Sequence, residues 1–298
     1  MSSRSVRVSR PVRGLFLAGG AVVLACAPVA FAGPDCRSLP PSIALPAELD
    51  ESSGLTFGLR ESDVLWTHND DGSRLFAIDV RGSVLAAFNI RPRLQDWEDI
   101  AAGSCLESES CLYLADTGDN GERRADGDIR LIRITEPTVE EDGGTIEGQV
   151  FPMRLPQGAR DVEAVFVLPG ERLHLITKGR THAITVYRYP PPLRADTVEL
   201  EEVQRLSLGA AGLGDQVTGA SSSSDGRRVA VRTYQSLEFF DVVADTLARV
   251  EGGVVNLRTL RESQGEAVAI GPDGLVVLSS EGGPFGGAPG MNVLRCGI

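Results

Sequence analysis

Short apolar runs, separated by Gly, Pro, Asp and Ser turns, recur along the chain from residue 51 to its C-terminal end. Runs of this length bounded by such residues are strand signals, and no long segment has the 3.6-residue periodicity of a helix. The runs fall into a repeating unit. Each copy opens with a short polar motif feeding an apolar strand: ESSGLTF at 51–57, DWEDIA at 96–101, RDVEAVFV at 160–167, QVTGASS at 216–222 and QGEAVAI at 264–270. Aligned, their first polar positions are Ser53, Glu98, Glu163, Thr218 and Glu266. A turn follows in every copy, then a second strand whose end turns polar: LWTHND, LYLADT, LHLITK, VAVRTY and VVLSSE. A third strand comes next, as LFAIDV, IRLIRI, ITVYRY, LEFFDV and MNVLRC.

A three- or four-stranded antiparallel unit cannot bury both faces alone, so its repetition predicts blades stacked around an axis. The expected fold is all-β, a five-bladed β-propeller of three to four antiparallel strands per blade. The less regular segments 138–159, 194–213 and 242–262 would supply outer strands and crossings. The last repeat lacks a fourth strand, which SIAL at 42–45 could donate from ahead of the first repeat. That closure pairs Cys296, in the final strand, with Cys36, just before the donated one. Cys105 and Cys111 flank a hairpin turn and are expected to pair locally.

The N-terminal residues have a different pattern. Arg4, Arg7, Arg10 and Arg13 precede the apolar run GLFLAGGAVVLACAPVAFA, which ends in Ala30-Phe31-Ala32. This is the layout of a secretory signal cleaved after Ala32, leaving 33–298 as one propeller domain. An uncleaved membrane anchor and lipidation at Cys26 are the alternatives. Export to the periplasm or outside the cell agrees with the four remaining cysteines forming an even set. The chain carries 29 Lys+Arg against 41 Asp+Glu, a net charge of −12. Losing residues 1–32 removes four arginines and no acid, so the exported protein is more acidic still. Nucleic acid is therefore not an expected partner, since phosphate binding needs a basic face.

In a propeller the innermost strand of each blade lines the central channel, so equivalent positions converge. From the first strands come Glu98, Asp99, Glu163 and Glu266, and from the ends of the second strands His68, Asp70, Asp116, Lys178, Arg232, Tyr234 and Glu281. Carboxylates from three blades would repel one another unless a cation, a proton or a basic side chain intervenes. Glu98, Asp99, Asp116, Glu163 and Glu266 are thus candidate ligands for a hard cation such as calcium, which takes oxygen donors. His68, Asp70, Lys178, Arg232, Tyr234 and Glu281 are candidate contacts for a small polar ligand. Lys178 is the one lysine in the chain. The competing reading is that the inner acids accept backbone N–H groups and hold the ring together.

Other chemistry is poorly supported. There is no GxGxxG, Walker loop, CxxC pair, HExxH or G-x-S-x-G elbow. The loop Asp116-Thr117-Gly118-Asp119-Asn120-Gly121 does not match the spacing of a calcium-binding D-x-D-x-D-G loop. His174 and His182 have no partner at metal-ligand spacing. Trp97 could stack on a sugar ring, but packing between blades favours a core position.

Taken together, LWTHNDDG, DWEDIA, LADTGDN, RDVEAV, LITK, VTGASSSSDGRRVAVRTY and QGEAVAI resemble a family of exported bacterial β-propeller proteins, loosely similar to WD-repeat-like and phytase-like propellers. The resemblance runs from Ser53 to Glu281. Phytase-like relatives imply an acidic, calcium-loaded channel acting on phosphate esters, mapping here onto Glu98, Asp99, Glu163 and Glu266. The chain departs from that pattern in lacking a basic phosphate cluster, having only Lys178 and Arg232 in the ring. The expectation is an exported, monomeric binding protein whose channel takes a cation or small polar ligand, or which meets another envelope protein. The alternative is a calcium-dependent hydrolase of phosphate esters or glycosides using the same ring.

Overall fold

The computed structural model describes Met1 and residues 34–106, 108–283 and 287–298. The signal segment and Cys26 lie outside the described residues. Strand β1 (Arg37–Ala44) precedes the first repeat, whose strands are β2 (Ser52–Phe57), β3 (Val64–Asn69), β4 (Arg74–Asp79) and β5 (Val84–Arg91). The second repeat supplies β6 (Trp97–Cys105), β7 (Ser108–Asp116) and β8 (Ile129–Thr135), then the short β9 (Thr145–Glu147) and β10 (Gln149–Arg154). The third gives β11 (Val162–Leu168), β12 (Arg172–Thr177), β13 (Ala183–Arg188), β14 (Val198–Glu199) and β15 (Glu201–Ala210). The fourth holds β16 (Val217–Ser222), β17 (Arg228–Thr233), β18 (Ser236–Val243) and β19 (Thr246–Asn256). The fifth holds β20 (Gln264–Ile270), β21 (Leu275–Glu281) and β22 (Gly290–Arg295).

These strands form five sheets, the blades of a five-bladed propeller, with β2, β6, β11, β16 and β20 innermost. Each inner strand packs against the inner strands of its two neighbours, which closes the ring. Five apolar clusters fill the clefts between adjacent blades. Both tryptophans, Trp66 and Trp97, are buried in the cleft between blades one and two. The alternation of the strands explains this: each blade presents apolar side chains on both faces, one to each neighbour.

The fifth blade is completed from the other end of the chain. β1 pairs antiparallel with β22, from Arg37 opposite Arg295 to Ala44 opposite Gly290. Cys36 and Cys296 are disulfide-bonded beside this pairing, as are Cys105 and Cys111 across their hairpin. Blades one and two carry a fifth strand that the repeat pattern does not announce. β9 pairs parallel with β5, and β14 parallel with β10. In each case the chain running out to a blade's outer strand lies along the edge of the preceding blade and covers its unpaired groups.

Every inner strand is irregular where its motif begins. The register slips between Ser52 and Gly54, Trp97 and Asp99, Val162 and Ala164, Val217 and Gly219, and Gly265 and Val268. The extra residues fall at Ser53, Glu98, Glu163, Thr218 and Glu266, the aligned positions of the repeat. A β-bulge bends the strand and re-aims a side chain. Next along come Gly54, Asp99, Ala164, Gly219 and Ala267, where the strands crowd the axis. A Cβ on Gly54 would stand 2.8 Å from the Asp99 Cα, and one on Gly219 2.8 Å from the Glu266 carbonyl oxygen.

Asp99 fills the space these small residues leave. Its carboxylate accepts the N–H groups of Ile100 at 2.9 Å, Val165 at 2.9 Å and Ala220 at 3.2 Å, joining blades two, three and four. Burial pushes its carboxyl well above the usual range against the pull of those donors. Hydroxyls tie further blades together: Ser53 donates to the Glu98 carbonyl and Thr218 to that of Glu266.

Two outcomes follow for stability. Replacing Cys36 and Cys296 by serine removes a loop closure of 260 residues, which chain entropy values at about 5.5 kcal/mol as an upper figure. Urea unfolding of that variant is expected to show a loss of several kcal/mol with the propeller spectrum retained in water. Asp99→Ala leaves buried N–H groups of three blades without an acceptor, and the same measurement is expected to show a loss of about 3 kcal/mol or more.

Candidate functional site

The bulged residues and the ends of the second strands meet at one end of the channel, above Asp99. The densest part is a buried triad, Glu98 with Asp161 and Glu163, whose carboxylate oxygens lie within 4.8 Å of one another. Glu163 Oε1 accepts from Lys178 Nζ at 2.6 Å. Asp161 accepts the Asp119 N–H at 2.8 Å and an Arg180 guanidinium N–H at 3.0 Å. Glu98 has no side-chain hydrogen bond or ion pair among the described residues, although it is 93% buried (7% exposed). Its Oε1 lies over Gly118, where a Cβ would stand 2.1 Å away, with Asp96 2.5 Å from that same point. Gly118 therefore leaves room for two carboxylates.

The remaining acids line the opposite side. The Gln264 amide donates to Glu266 at 2.7 Å and to Glu281 at 2.6 Å, bridging them. Glu51 lies beside Asp70, whose charge is the largest cause raising the Glu51 carboxyl. Tyr234 lies within electrostatic reach of Glu266, Lys178, Glu163 and Glu281.

Crowded, desolvated carboxyls resist ionisation. Burial, reinforced by Glu163 and Asp96, holds Glu98 well above the usual range. Burial also raises Glu163, to about 8, with Lys178 opposing and Asp161 adding to the rise. Glu266 is raised well above its ordinary value by burial and then by Glu281. Glu281 is pushed to about 7 by burial, Asp70 and Glu51. Glu51 reaches about 7 chiefly through Asp70, and Asp96 about 6 through burial and Asp161. Burial pulls the Lys178 ammonium down, but Glu163, Tyr234, Asp161 and Glu98 outweigh it and hold the lysine charged.

Of the residues expected in the ring, Glu98, Glu163, Glu266, Lys178, Tyr234, Glu281 and Asp70 come together here. Four others are committed elsewhere. Asp99 lies below the triad with its oxygens on backbone N–H groups. Asp116 accepts the Gln95 and Asp96 N–H groups and pairs with Arg124 at 3.1 Å and Arg130 at 2.8 Å. Arg232 is wholly buried, donating to the Ala267 and Ser279 carbonyls and to Glu262, and so binds blade four to blade five. His68 stacks on Trp97 at 3.9 Å, its Nδ1 against the Asn69 carbonyl, and burial lowers its pKa to about 4, leaving it neutral.

Sequence reasoning missed Asp161, Asp96 and Glu51. A signal for them exists: each stands two residues before an aligned position, as do Gln216 and Gln264. Glu51, Asp96 and Asp161 lie just ahead of their strands, so with the bulged residue each forms a polar pair at its blade's entrance.

No family model and no curated protein matches the chain. Solved structures do match in fold. The PQQ-bound aldose sugar dehydrogenase of Streptomyces coelicolor aligns with a TM-score of 0.54 at 12% identity, covering 90% of this chain and 99% of that one. A glucose dehydrogenase aligns at 0.51 and 11% identity, covering 87% and 99%. The glutaminyl cyclase of Myxococcus xanthus aligns at 0.52 and 10% identity, covering 88% and 97%. At such identities the likeness is one of fold, the β-propeller.

Proposed function

We propose that the chain is an exported, monomeric β-propeller binding protein, residues 33–298, whose channel mouth takes a cation or the cationic part of a small polar ligand. The observation that carries this reading is Glu98, a buried carboxylate without a partner, set within 4.8 Å of two others. Burying an ionisable group unpaired is costly, and a bound positive charge offsets that cost. The two disulfides agree with an oxidising compartment. Among the described residues no helix is long and apolar enough to cross a membrane.

A second reading is an enzyme using the same mouth, and Glu163 favours it. Its carboxyl is raised to about 8 beside an ammonium 2.6 Å away, a setting for general acid–base work on a phosphate ester or glycoside. Enzymes are among the propellers of similar fold. Turnover of phosphate-ester or glycoside substrates that Glu163→Gln abolishes would establish this reading over simple binding.

The binding reading is tested by the melting temperature of the purified protein titrated with potassium, calcium and methylammonium chlorides at constant ionic strength. A ligand of the native state raises stability by mass action. A saturable rise with at least one cation, absent in Glu98→Gln, is expected; no rise with any would overturn the reading.

A pH dependence follows from the same crowding. Glu51 and Glu281, raised to about 7 in the folded protein from an ordinary 4.5, favour the protonated native state. Their contribution is full below the unfolded pKa and is lost as pH rises through the folded one. Without added cation, the melting temperature is expected to fall from pH 5 to pH 8, and Glu281→Gln is expected to flatten that fall.

A further inference from the structure

Resting on the binding reading above, the charge pattern of the triad specifies what kind of cation it takes. Two of its three carboxylates already have fixed partners: Lys178 on Glu163 at 2.6 Å and Arg180 on Asp161 at 3.0 Å. Glu98 has none among the described residues. Outside the triad the mouth acids meet no ammonium or guanidinium at ion-pair distance among the described residues: Glu266 and Glu281 share the neutral Gln264 amide, and Glu51 lies beside Asp70. Within the triad, one carboxyl of three thus lacks a basic partner.

A hard divalent ion fits this arrangement badly. Calcium takes six to eight oxygens, whereas Glu163 Oε1 is held by Lys178 and both Asp161 oxygens by Arg180 and the Asp119 N–H. The ion would also sit beside two fixed positive groups in a desolvated mouth, where like charges repel strongly. A primary ammonium brings one charge and three N–H donors. Glu98 can take one or two of these, with Lys178 left in place on Glu163. Gly118, lacking a Cβ, lets the Glu98 and Asp96 carboxyls come together at this edge of the site.

We propose that the ligand of this site presents a single positive charge as a primary ammonium group, and that Lys178 is the residue that excludes divalent ions. Lys178 occupies part of the position a divalent ion would need. Removing its charge converts the triad into a divalent-ion site.

The test titrates the full protein and the variants Lys178→Met, Arg180→Gln and Glu98→Gln with methylammonium, tetramethylammonium and calcium chlorides at constant ionic strength, reading melting temperature and calorimetric heats. The wild type is expected to bind methylammonium saturably and more tightly than calcium, with no saturable response to tetramethylammonium, which lacks N–H donors. Lys178→Met is expected to bind calcium at least tenfold more tightly than the wild type does, and Glu98→Gln to lose the methylammonium response. Arg180→Gln, altered at a partly exposed position, should move toward calcium in the same direction and serves if Lys178→Met does not fold. Wild-type preference for calcium, or unchanged calcium affinity in the charge-removal variants, overturns the inference and leaves a cation site standing. Absence of any response in the wild type and in both charge-removal variants defeats the site itself along with the inference.

Discussion

The close approach of five strands at one axis is the constraint on which the rest of the molecule depends. At the narrowest level the inner strands carry Gly54, Asp99, Ala164, Gly219 and Ala267, and two of these positions have no room for a Cβ. Inner edges of blades lack ladder partners, so N–H groups facing the axis need another acceptor. One carboxylate meets this need for three blades: Asp99 takes the Ile100, Val165 and Ala220 N–H groups. An apolar side chain of the same size would fill the axis but leave those donors unsatisfied.

That staple also orders the site. Glu98 precedes Asp99, Glu163 stands two residues before Val165, and Thr218 two before Ala220. Holding the axial backbone thus holds the bulges from which the mouth residues project. The bulges separate two tasks that a regular strand would mix: the axial residues close the ring, while the residue before each is turned toward the mouth. The acids there remain crowded because the ring that positions them cannot widen without breaking Asp99 contacts and the hydroxyl links of Ser53 and Thr218.

Blade number, the donated strand and both disulfides were legible because they follow from short apolar runs bounded by turns and from a repeat that must close. Ser53, Glu98, Glu163, Thr218 and Glu266 aligned correctly for the same reason. The partners of individual charges were not legible. Asp116 and Arg232 end their strands as polar residues just as Lys178 does, yet Arg124 and Arg130 claim the first, and carbonyls of the next blade claim the second. Nothing in a strand's own alternation tells which distant arginine reaches it. Asp161 was hidden differently, since it precedes its strand, and only a comparison across all five entrances exposes the polar residue two positions ahead of each bulge. Strands β9 and β14 have two or three residues each and arise from a crossing chain lying on a blade edge, which leaves no hydrophobic period to read.

The two ends of the channel differ in chemistry because Asp99 divides them. Beyond it, Ile100 and Ala220 begin a cavity of about 340 Å³ walled by Phe57, Val167, Leu168 and Ile270, with no charged side chain among its described lining residues. Its deepest hydroxyls are spent on the fold: Ser221 accepts the Ile270 N–H, and Ser222 donates to the Val167 carbonyl. The acids are thus confined to one mouth, where desolvation and mutual repulsion raise their proton affinity together. An arrangement serving only to hold blades together would pair each carboxylate with backbone N–H groups, as Asp99 does. Glu98 departs from that rule while lying one residue away on the same strand, and its difference from Asp99 separates the scaffold from the candidate site.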